Sequence, residues 1–292
     1  MAVRTRADLH CHTTASDGDH PPADVVRMAK EAGLAAIAIT DHDTTAGLDE
    51  ALKAGSKYQI EVVPGIEAKC ELDGYGAEVL GYFVDPHHRA IVEQSRDLTR
   101  RRYERIAGMV ERLRRSGVRV RMEDVEELAG DVPLGRPHLA AVLVRAGYAA
   151  TLDEAFVKFL YRGRPAYLPI CKPSAEVVVR RIHEAGGVAV LAHPGCLITC
   201  PDIEMFIHDF VEVGVEGLEV WYPYGIAGRQ VRDEAKDRRS FCARMQRLAD
   251  RLGLLKTGGS DFHSVGRLAP LGAATCSYET LLALKRHRKK VN

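Results

Sequence analysis

The chain has 292 residues, of which 46% are hydrophobic and 28% are charged, so it can form one large domain with an insertion or two modest domains. Its 41 basic and 40 acidic side chains give a formal net charge of +1, which excludes a polycation that binds nucleic acid along its whole length. Seven scattered cysteines argue against a disulfide framework. The first residues lack the apolar core of a signal peptide, and no apolar run reaches the length of about 18 residues that a membrane span needs. We therefore predict a soluble cytoplasmic protein.

Strand and helix patterns alternate over the first 84 residues. The continuous apolar run at 34–40 predicts a strand that is covered on both faces. Pro21 and Pro22 open a helix that Gly33 ends. The predicted elements are strands at 7–12, 34–40, 60–63 and 77–84, and helices at 21–31 and 48–58. This alternation predicts parallel strands joined by helical crossovers.

The rhythm changes at about residue 96, where a long basic helix is predicted over 96–116. The remaining helices of this part are predicted at 122–129, 139–147 and 152–160, with no convincing strand between them. We therefore predict a small helical insertion domain at 96–165, between barrel parts at 1–95 and 166–292.

The basic run at 96–121 carries ten arginines and three acidic residues. It has two interpretations, a solvated helix face or a surface that attracts a polyanionic substrate. Few aromatic residues lie among the arginines, which disfavours a stacking platform for long single strands. We therefore expect a small nucleotide or a short oligonucleotide as substrate, and no stable complex with long nucleic acid or membrane.

The α/β pattern resumes in the last part of the chain. Helices are predicted at 174–185, 202–213 and 230–252, and strands at 188–192, 217–222 and 254–258, for a total of seven strands. Polar side chains repeatedly follow these strands at the edge where α/β sheets and barrels place their chemistry.

Two histidines, His10 and His12, lie on the first strand. Residues at i and i+2 of a strand point to the same side, so both imidazoles face one way. Burial of such groups is unfavourable unless a partner satisfies them, and a metal ion is one such partner. By itself the pair is equally consistent with a hydrogen-bonded network.

Eight ligand-type side chains gather at the predicted strand ends, more than one ion requires. They are His10, His12, Asp17, His42, Glu67, His193, Asp261 and His263. Mixed imidazole and carboxylate ligands without cysteine indicate zinc, manganese or iron and argue against a purely structural site. Bridged ions of this kind can generate a hydroxide at neutral pH and stabilise phosphoryl transfer.

Five motifs in order resemble those of the PHP (polymerase and histidinol phosphatase) domains. They are Asp-Leu-His10-x-His12-(x4)-Asp17-Gly, Ile-Thr-Asp-His42-Asp, Gly-Ile-Glu67, Ala-His193-Pro and Gly-Ser-Asp261-x-His263. The resemblance implies a distorted seven-stranded β/α barrel, related to the TIM and amidohydrolase barrels, with a two- or three-metal phosphoesterase centre. Manganese is the expected ion, with zinc or iron as alternatives.

The resemblance also implies roles for the ligands. One ion would be held by His10, His12, Glu67 and Asp261; Glu67 would bridge to a second ion that His193 helps to bind; Asp17, His42 and His263 would hold another. A metal-activated hydroxide would attack phosphorus, so Asp261, Glu67 and His193 are the expected catalytic residues.

One position departs from the family pattern. Where PHP domains commonly have a histidine two positions before the Leu-Gly of the fourth strand, this chain has Glu78. Glu78 is a possible metal ligand or a hydrogen-bond acceptor, so the number of ions, two or three, stays open.

The segments Gly135-Arg136-Pro137-His138 and Tyr167-Leu168-Pro169 are similar to one branch of the family, which includes nucleoside 3′,5′-bisphosphate phosphatases and 5′-3′ exoribonucleases. Arg136 and His138 are therefore our first candidates for contacts with a substrate phosphate, and Lys172 and Arg229 are weaker ones. The leading predicted activity is removal of the 3′-phosphate of nucleoside 3′,5′-bisphosphates. The alternatives are a 5′-3′ exoribonuclease on short 5′-phosphorylated RNA, a histidinol-phosphate phosphatase, and a non-catalytic metal-binding PHP module.

Overall fold

The structure is a computed structural model that describes residues 5–130, 134–225, 230–266 and 269–291, with side chains described as far as residue 288. It divides into two compact units, the first made of Met1–Ser95 and Lys172–Asn292 and the second of Arg96–Cys171. That the second unit acts as an insertion domain stays a prediction.

The first unit contains all of the strands that the structure describes. These are β1 (Arg6–Asp8), β2 (Ala36–Ile39), β3 (Glu61–Leu72), β4 (Tyr75–Tyr82), β5 (Val188–Leu191), β6 (Gly217–Trp221), β7 (Leu255–Gly258) and β8 (Cys276–Ser277). They form one sheet in the order β7-β6-β5-β4-β3-β2-β1-β8.

The two ends of this sheet approach each other. The Leu9 N–H donates to the Gly258 carbonyl at 3.1 Å, and Cys11 forms a bridge with Phe262. The sheet therefore nearly closes into a barrel, and the predicted α/β barrel class is confirmed. The strand beyond the seven predicted is β8, which at two residues is too short to leave a periodic pattern in the sequence.

The prediction of parallel strands throughout is wrong at β4, which pairs antiparallel with both β3 and β5. Strand β3 continues through Pro64 as far as Leu72, and Asp73 and Gly74 then turn the chain with positive φ angles of 49° and 81°. An Asp-Gly pair between two strand-like segments is a strong hairpin signal, so the sequence does contain this turn.

Helices surround the sheet of the first unit. They are α1 (Pro22–Glu31), α2 (Leu48–Tyr58), the start of α3 (Arg89–Arg115), α7 (Ala175–Glu184), α8 (Ile203–Glu212), α9 (Arg238–Leu252) and α10 (Tyr278–Val291). The predicted helix at 230–252 begins only at Arg238, because Asp237 caps its first turn by accepting from the Ser240 N–H at 3.2 Å.

Both faces of the strands are buried, as the continuous apolar runs predict. In β2, Ile37 and Ile39 join the large core between sheet and helices, whereas Ala36 and Ala38 face the interior side of the barrel. The side chain of Tyr82 lies on that interior side, and its hydroxyl donates to the Leu9 carbonyl at 2.9 Å. Strand ends are thereby held firmly where the polar residues begin.

The second unit is helical and has its own core. It contains most of α3, then α4 (Met122–Ala129), α5 (Arg136–Arg145), α6 (Leu152–Ala155) and a π-helical turn at Phe156–Leu160. Its buried residues include Met109, Leu113, Leu139, Leu143 and Leu160.

Within the described residues of the whole chain, no helix combines the length and the apolar character needed to cross a membrane.

Replacement of Gly259 by alanine is expected to destabilise the fold. A Cβ atom at this position would overlap the backbone nitrogen of His10 and lie 2.8 Å from its Cα atom, so β1 and the end of β7 would have to separate. We expect Gly259→Ala to lower the free energy of unfolding by about 1–3 kcal/mol.

The matched control is Gly108→Ala in α3, where the new Cβ meets only the end of the flexible Leu168 side chain, at 2.6 Å. Because alanine is a better helix former than glycine, this variant should be neutral or up to about 1 kcal/mol more stable. Denaturant unfolding of both variants makes the comparison, and equal stability would contradict the close approach at Gly259.

Candidate metal centre

The eight predicted ligands lie together at the carboxyl ends of the strands of the first unit. His10 and His12 follow β1, His42 follows β2, Glu67 lies in β3, His193 follows β5, and Asp261 and His263 follow β7, with Asp17 in the turn after His12. All except Asp17 and His42 are buried. Period-two alternation explains this placement for Glu67, because its neighbour Ile66 points to the outer core.

The carboxylate of Glu67 occupies the middle of the cluster. Its Oε1 atom is 2.9 Å from His193 Nε2 and 3.3 Å from His10 Nε2. Its Oε2 atom is 2.8 Å from His42 Nδ1 and 3.3 Å from His12 Nε2. One side chain thus reaches four imidazoles with two oxygen atoms, which is the geometry that a bridging ligand needs.

Asp261 and Asp17 lie on two sides of His12. Asp261 Oδ1 is 3.0 Å from His12 Nε2 and 3.5 Å from His10 Nε2. Asp17 Oδ1 is 3.2 Å from His263 Nε2 and 3.9 Å from His12 Nδ1. His12 can therefore contribute to either of two adjoining positions.

Glu78 also belongs to the cluster. It faces Lys69 across the β3–β4 hairpin, and its Oε2 atom is 3.2 Å from His193 Nε2. Its Oε1 atom is 3.8 Å from His42 Nδ1 and 3.5 Å from Lys69 Nζ. A carboxylate thus stands at the position where the family pattern has a histidine, within reach of an ion held by Glu67.

The donor atoms form four overlapping groups within which they lie no more than 4.8 Å apart. The groups are His12 with Asp17, His42 and His263; His10 with His12 and Glu67; His10 with His193 and Asp261; and His42 with Glu67 and Glu78. Imidazole and carboxylate donors at this spacing suit zinc, manganese or iron.

Several donor atoms of the cluster are buried without a well-aligned hydrogen bond, which also fits bound cations. His10 Nε2, both ring nitrogens of His12, and Glu67 Oε2 are buried, yet they make no well-aligned hydrogen bond with any residue in the described part of the chain. Buried polar atoms are nearly always hydrogen-bonded, so unaligned atoms at short range call for another partner. The donors converge on common points between them, as metal ligands do.

The charges of the cluster compensate one another. Burial opposes the ionised form of Glu67, but the imidazoles of His42 and His10 outweigh it and hold the pKa of this carboxyl well below its ordinary value. Burial also opposes the charged form of His12, yet the carboxylates of Asp261 and Glu67 raise its pKa to about 9. Without a bound cation, protons on the imidazoles balance the carboxylates.

Three buried residues that support the ligands escaped the sequence analysis. The Tyr222 hydroxyl donates to Asp261 Oδ2 at 2.7 Å, and Asp8 accepts from the Ser260 N–H at 2.8 Å. The third is Glu219, whose carboxylate lies 3.0 Å from His10 Nδ1. A lone acid inside the apolar strand Gly217–Trp221 is the one sequence signal that could have found Glu219.

Two of the predicted substrate-binding residues belong to the second unit and one to the first. Arg136 and His138 begin α5 in the second unit, where the Arg136 guanidinium stands 5.5 Å from the centre of the Phe156 ring and His138 Nδ1 accepts from the Gly135 N–H at 3.2 Å. Lys172 lies against Gly76 in the first unit. Arg229 lies outside the described residues.

A family model named PHP domain matches residues 8–136 of the chain. The chain is 32% identical to the 5′-3′ exoribonuclease Rnm of Escherichia coli over 259 residues, 88% of this chain and 84% of that protein. It is 33% identical to the 3′,5′-nucleoside bisphosphate phosphatase of Chromobacterium violaceum over 266 residues, 89% of this chain and 87% of that protein.

A relative with a third named activity is similar to the same extent. The phosphoribosyl 1,2-cyclic phosphate 1,2-diphosphodiesterase of Eggerthella lenta is 34% identical over 270 residues, 91% of this chain and 97% of that protein. Among solved structures, one from Bifidobacterium adolescentis described as a metal-dependent phosphoesterase is 32% identical, with a TM-score of 0.75 and coverage of 95% of this chain and 94% of that one. The chain therefore belongs to the PHP-domain family of metal-dependent phosphoesterases, hydrolases that act on phosphate ester bonds.

Proposed function

We propose that the protein is a phosphomonoesterase that removes the 3′-phosphate of nucleoside 3′,5′-bisphosphates, with manganese as its preferred ion. The observation that carries the hydrolytic part is the cluster around Glu67, whose two oxygens reach four imidazoles within 3.3 Å. The choice of substrate is supported by the Chromobacterium violaceum relative, which is named for this reaction.

The ligand residues have separate tasks in this proposal. Glu67 would serve two cation positions, one held also by His10, His12 and Asp261 and the other by His193, with Glu78 as a further donor. Asp17, His42 and His263 would hold a third cation at the more exposed side. Divalent ions bound there would supply Lewis-acid charge and a hydroxide nucleophile at neutral pH.

Recognition of the second phosphate is assigned to the second unit, where the charge of one arginine acts on another. Arg105 is fixed by its Nε atom, which donates to the Leu168 carbonyl at 2.7 Å. Partial burial, and then the nearby charge of Arg136, lower the pKa of Arg105. Two guanidinium groups held near each other are stabilised by an anion, which supports Arg136 as a phosphate contact. His138, Lys172 and Arg229 stay weaker candidates.

The exoribonuclease alternative is supported by the Escherichia coli relative. It needs a longer basic surface for a strand of RNA, and much of the 96–121 run already has partners within the second unit. Arg100 pairs with Glu104 at 3.0 Å, and Arg115 pairs with Glu111 at 3.0 Å. These contacts favour the small substrate, whose two phosphates require fewer free cations.

The remaining alternatives have less support. A histidinol-phosphate phosphatase is disfavoured by the helical unit and by its Gly-Arg136-Pro-His138 motif. A non-catalytic metal-binding module is disfavoured because all eight predicted ligand positions are filled by ligand-type residues and lie in one cluster.

A hydrolysis assay with manganese, in which the products are separated by chromatography and phosphate release is measured beside them, tests the proposal directly. The panel contains adenosine 3′,5′-bisphosphate, a short 5′-phosphorylated RNA, histidinol phosphate and a ribose 1,2-cyclic phosphate. We expect the first to be cleaved with the highest kcat/KM, with phosphate and adenosine 5′-monophosphate as products. Asp261→Asn should lose on the order of a thousandfold or more in kcat, because several kcal/mol of transition-state stabilisation depends on the bound ions.

Each other outcome of this panel has a distinct meaning. Phosphate release only from histidinol phosphate would replace the proposed substrate. Mononucleotide production from RNA, or ring opening of the cyclic phosphate, at a higher kcat/KM would replace it as well. Unchanged turnover in Asp261→Asn would contradict the metal chemistry itself.

Metal binding should strengthen as the pH rises. The folded-state pKa of His12, about 9, exceeds the ordinary value of 6.5, so in the metal-free protein this group contributes stability below about pH 6.5 that is lost as the pH rises through 9. Bound cations need the deprotonated imidazole and replace its proton, so their stabilising effect has the opposite slope.

The measurement is the thermal unfolding midpoint between pH 6 and pH 9, with a chelator and with saturating manganese. We expect the midpoint in chelator to fall over this range and the increase produced by manganese to grow. A gain from manganese that does not depend on pH would show that cation binding displaces no protons from the cluster.

Arg136→Ala should raise KM for adenosine 3′,5′-bisphosphate by about 10- to 100-fold with a smaller change in kcat, because a charge-assisted contact to phosphate is lost. The control is Arg145→Ala on the same helix, where the guanidinium is 65% exposed and 3.7 Å from Glu127. Equal KM values in the two variants would remove Arg136 from the substrate site.

A further inference from the structure

Glu219 lies in the middle of β6 and is completely buried. Its neighbours Leu218 and Val220 point to the outer core, so Glu219 points to the interior side of the barrel. Burial of a carboxylate among apolar strands costs several kcal/mol unless hydrogen bonds compensate it. The contacts of its two oxygens therefore define why an acid stands here.

The first oxygen orients a metal ligand. Glu219 Oε1 lies 3.0 Å from Nδ1 of His10, which places the ring proton on Nδ1. The other ring nitrogen, Nε2, lies 3.3 Å from Glu67 Oε1 and 3.5 Å from Asp261 Oδ1, and its lone pair becomes available on this side of the ring when a cation replaces its proton. The contact thus selects the one tautomer of His10 that can bind a cation in the cluster.

The second oxygen holds the backbone of another ligand. Glu219 Oε2 accepts from the His193 N–H at 2.8 Å. His193 has φ of 22° and ψ of 66°, a region that residues other than glycine seldom adopt, so its conformation depends on such contacts. In this conformation His193 Nε2 lies 2.9 Å from Glu67 and 3.2 Å from Glu78.

We propose that Glu219 is a positioning residue that aligns His10 and His193 with a single carboxylate, and so couples cation binding at the two positions joined by Glu67. Both of its oxygens are engaged by His10 and by the His193 backbone, so it acts through the two histidines. The inference rests on the metal-dependent chemistry of the proposed function, but it does not depend on which phosphate ester is the substrate.

The same strand segment provides a matched control. Glu216, just before β6, also binds a histidine and a β5 backbone N–H: its Oε2 atom is 3.0 Å from His183 Nε2 and accepts from the Ala189 N–H at 2.7 Å. His183 and Ala189 are not among the candidate ligands. A carboxylate with the same kind of partners therefore stands directly before the same strand and has no candidate ligand to orient.

The decisive variants are Glu219→Gln and Glu216→Gln. Glutamine keeps the shape of the side chain but offers one acceptor oxygen, so at residue 219 either His10 Nδ1–H or the His193 N–H must face an NH2 group. Manganese affinity, measured by competition with a chelator, should fall on the order of 10- to 100-fold in Glu219→Gln and stay unchanged in Glu216→Gln. The paramagnetic resonance spectrum of bound manganese should change only in Glu219→Gln.

Thermal unfolding in chelator separates folding from metal binding. If Glu219→Gln does not fold, Glu219→Asp replaces it, because the shorter side chain keeps its charge and two oxygens but cannot reach both partners; it is also expected to bind manganese more weakly. Wild-type affinity in the folded variant, or an equal loss in Glu216→Gln, would overturn the inference.

These measurements are independent of substrate. If wild-type protein binds manganese but releases no phosphate from adenosine 3′,5′-bisphosphate, the proposed function fails while the affinities still decide the role of Glu219.

Discussion

The carboxylate of Glu67 is completely buried and lies within 3.3 Å of four imidazole rings, and the rest of the site depends on how its charge is compensated. A charge without partners would be too unfavourable at this depth. Protons on the imidazoles, or cations in their place, supply the compensation. The barrel brings strand ends from distant parts of the chain to one edge, and these ends carry the groups that compensate the charge of Glu67. The stability of the fold and the assembly of the cluster therefore depend on each other.

The clustering of the eight candidate ligands could be predicted from the sequence because their chemistry is expressed locally. His10 and His12 share one side of a strand through the period of two, and apolar runs such as 34–40 end directly in polar residues. Parallel strands then place those residues at a common edge. The direction of β4 was harder to predict. The antiparallel hairpin at Asp73 and Gly74 reverses the strand but does not change the hydrophobic pattern from which the strands were predicted.

What escaped prediction is the network behind the ligands. Glu219 and Tyr222 come from β6 and its end, more than 200 residues from His10, and nothing in the local pattern says which buried atom they meet. Hydrogen bonds of this kind are set by register between β5, β6 and β7, which only the folded chain provides. Their effect is nonetheless central, because a ligand in the wrong tautomer or rotamer cannot bind a cation.

Substrate choice is a separate question from reaction class. Three relatives at 32–34% identity, each aligned over 88% or more of this chain, carry three different named activities on phosphate esters. Overall similarity therefore cannot select among them, and the ligand cluster, which accounts for hydrolysis, cannot either. The selection must come from cations placed to bind a second phosphate or a backbone. In the second unit partial burial and the charge of Arg136 lower the pKa of Arg105, whereas Arg100 pairs with the carboxylate of Glu104. A compact bisphosphate requires one group of cations of this kind, whereas an extended strand requires a row of them.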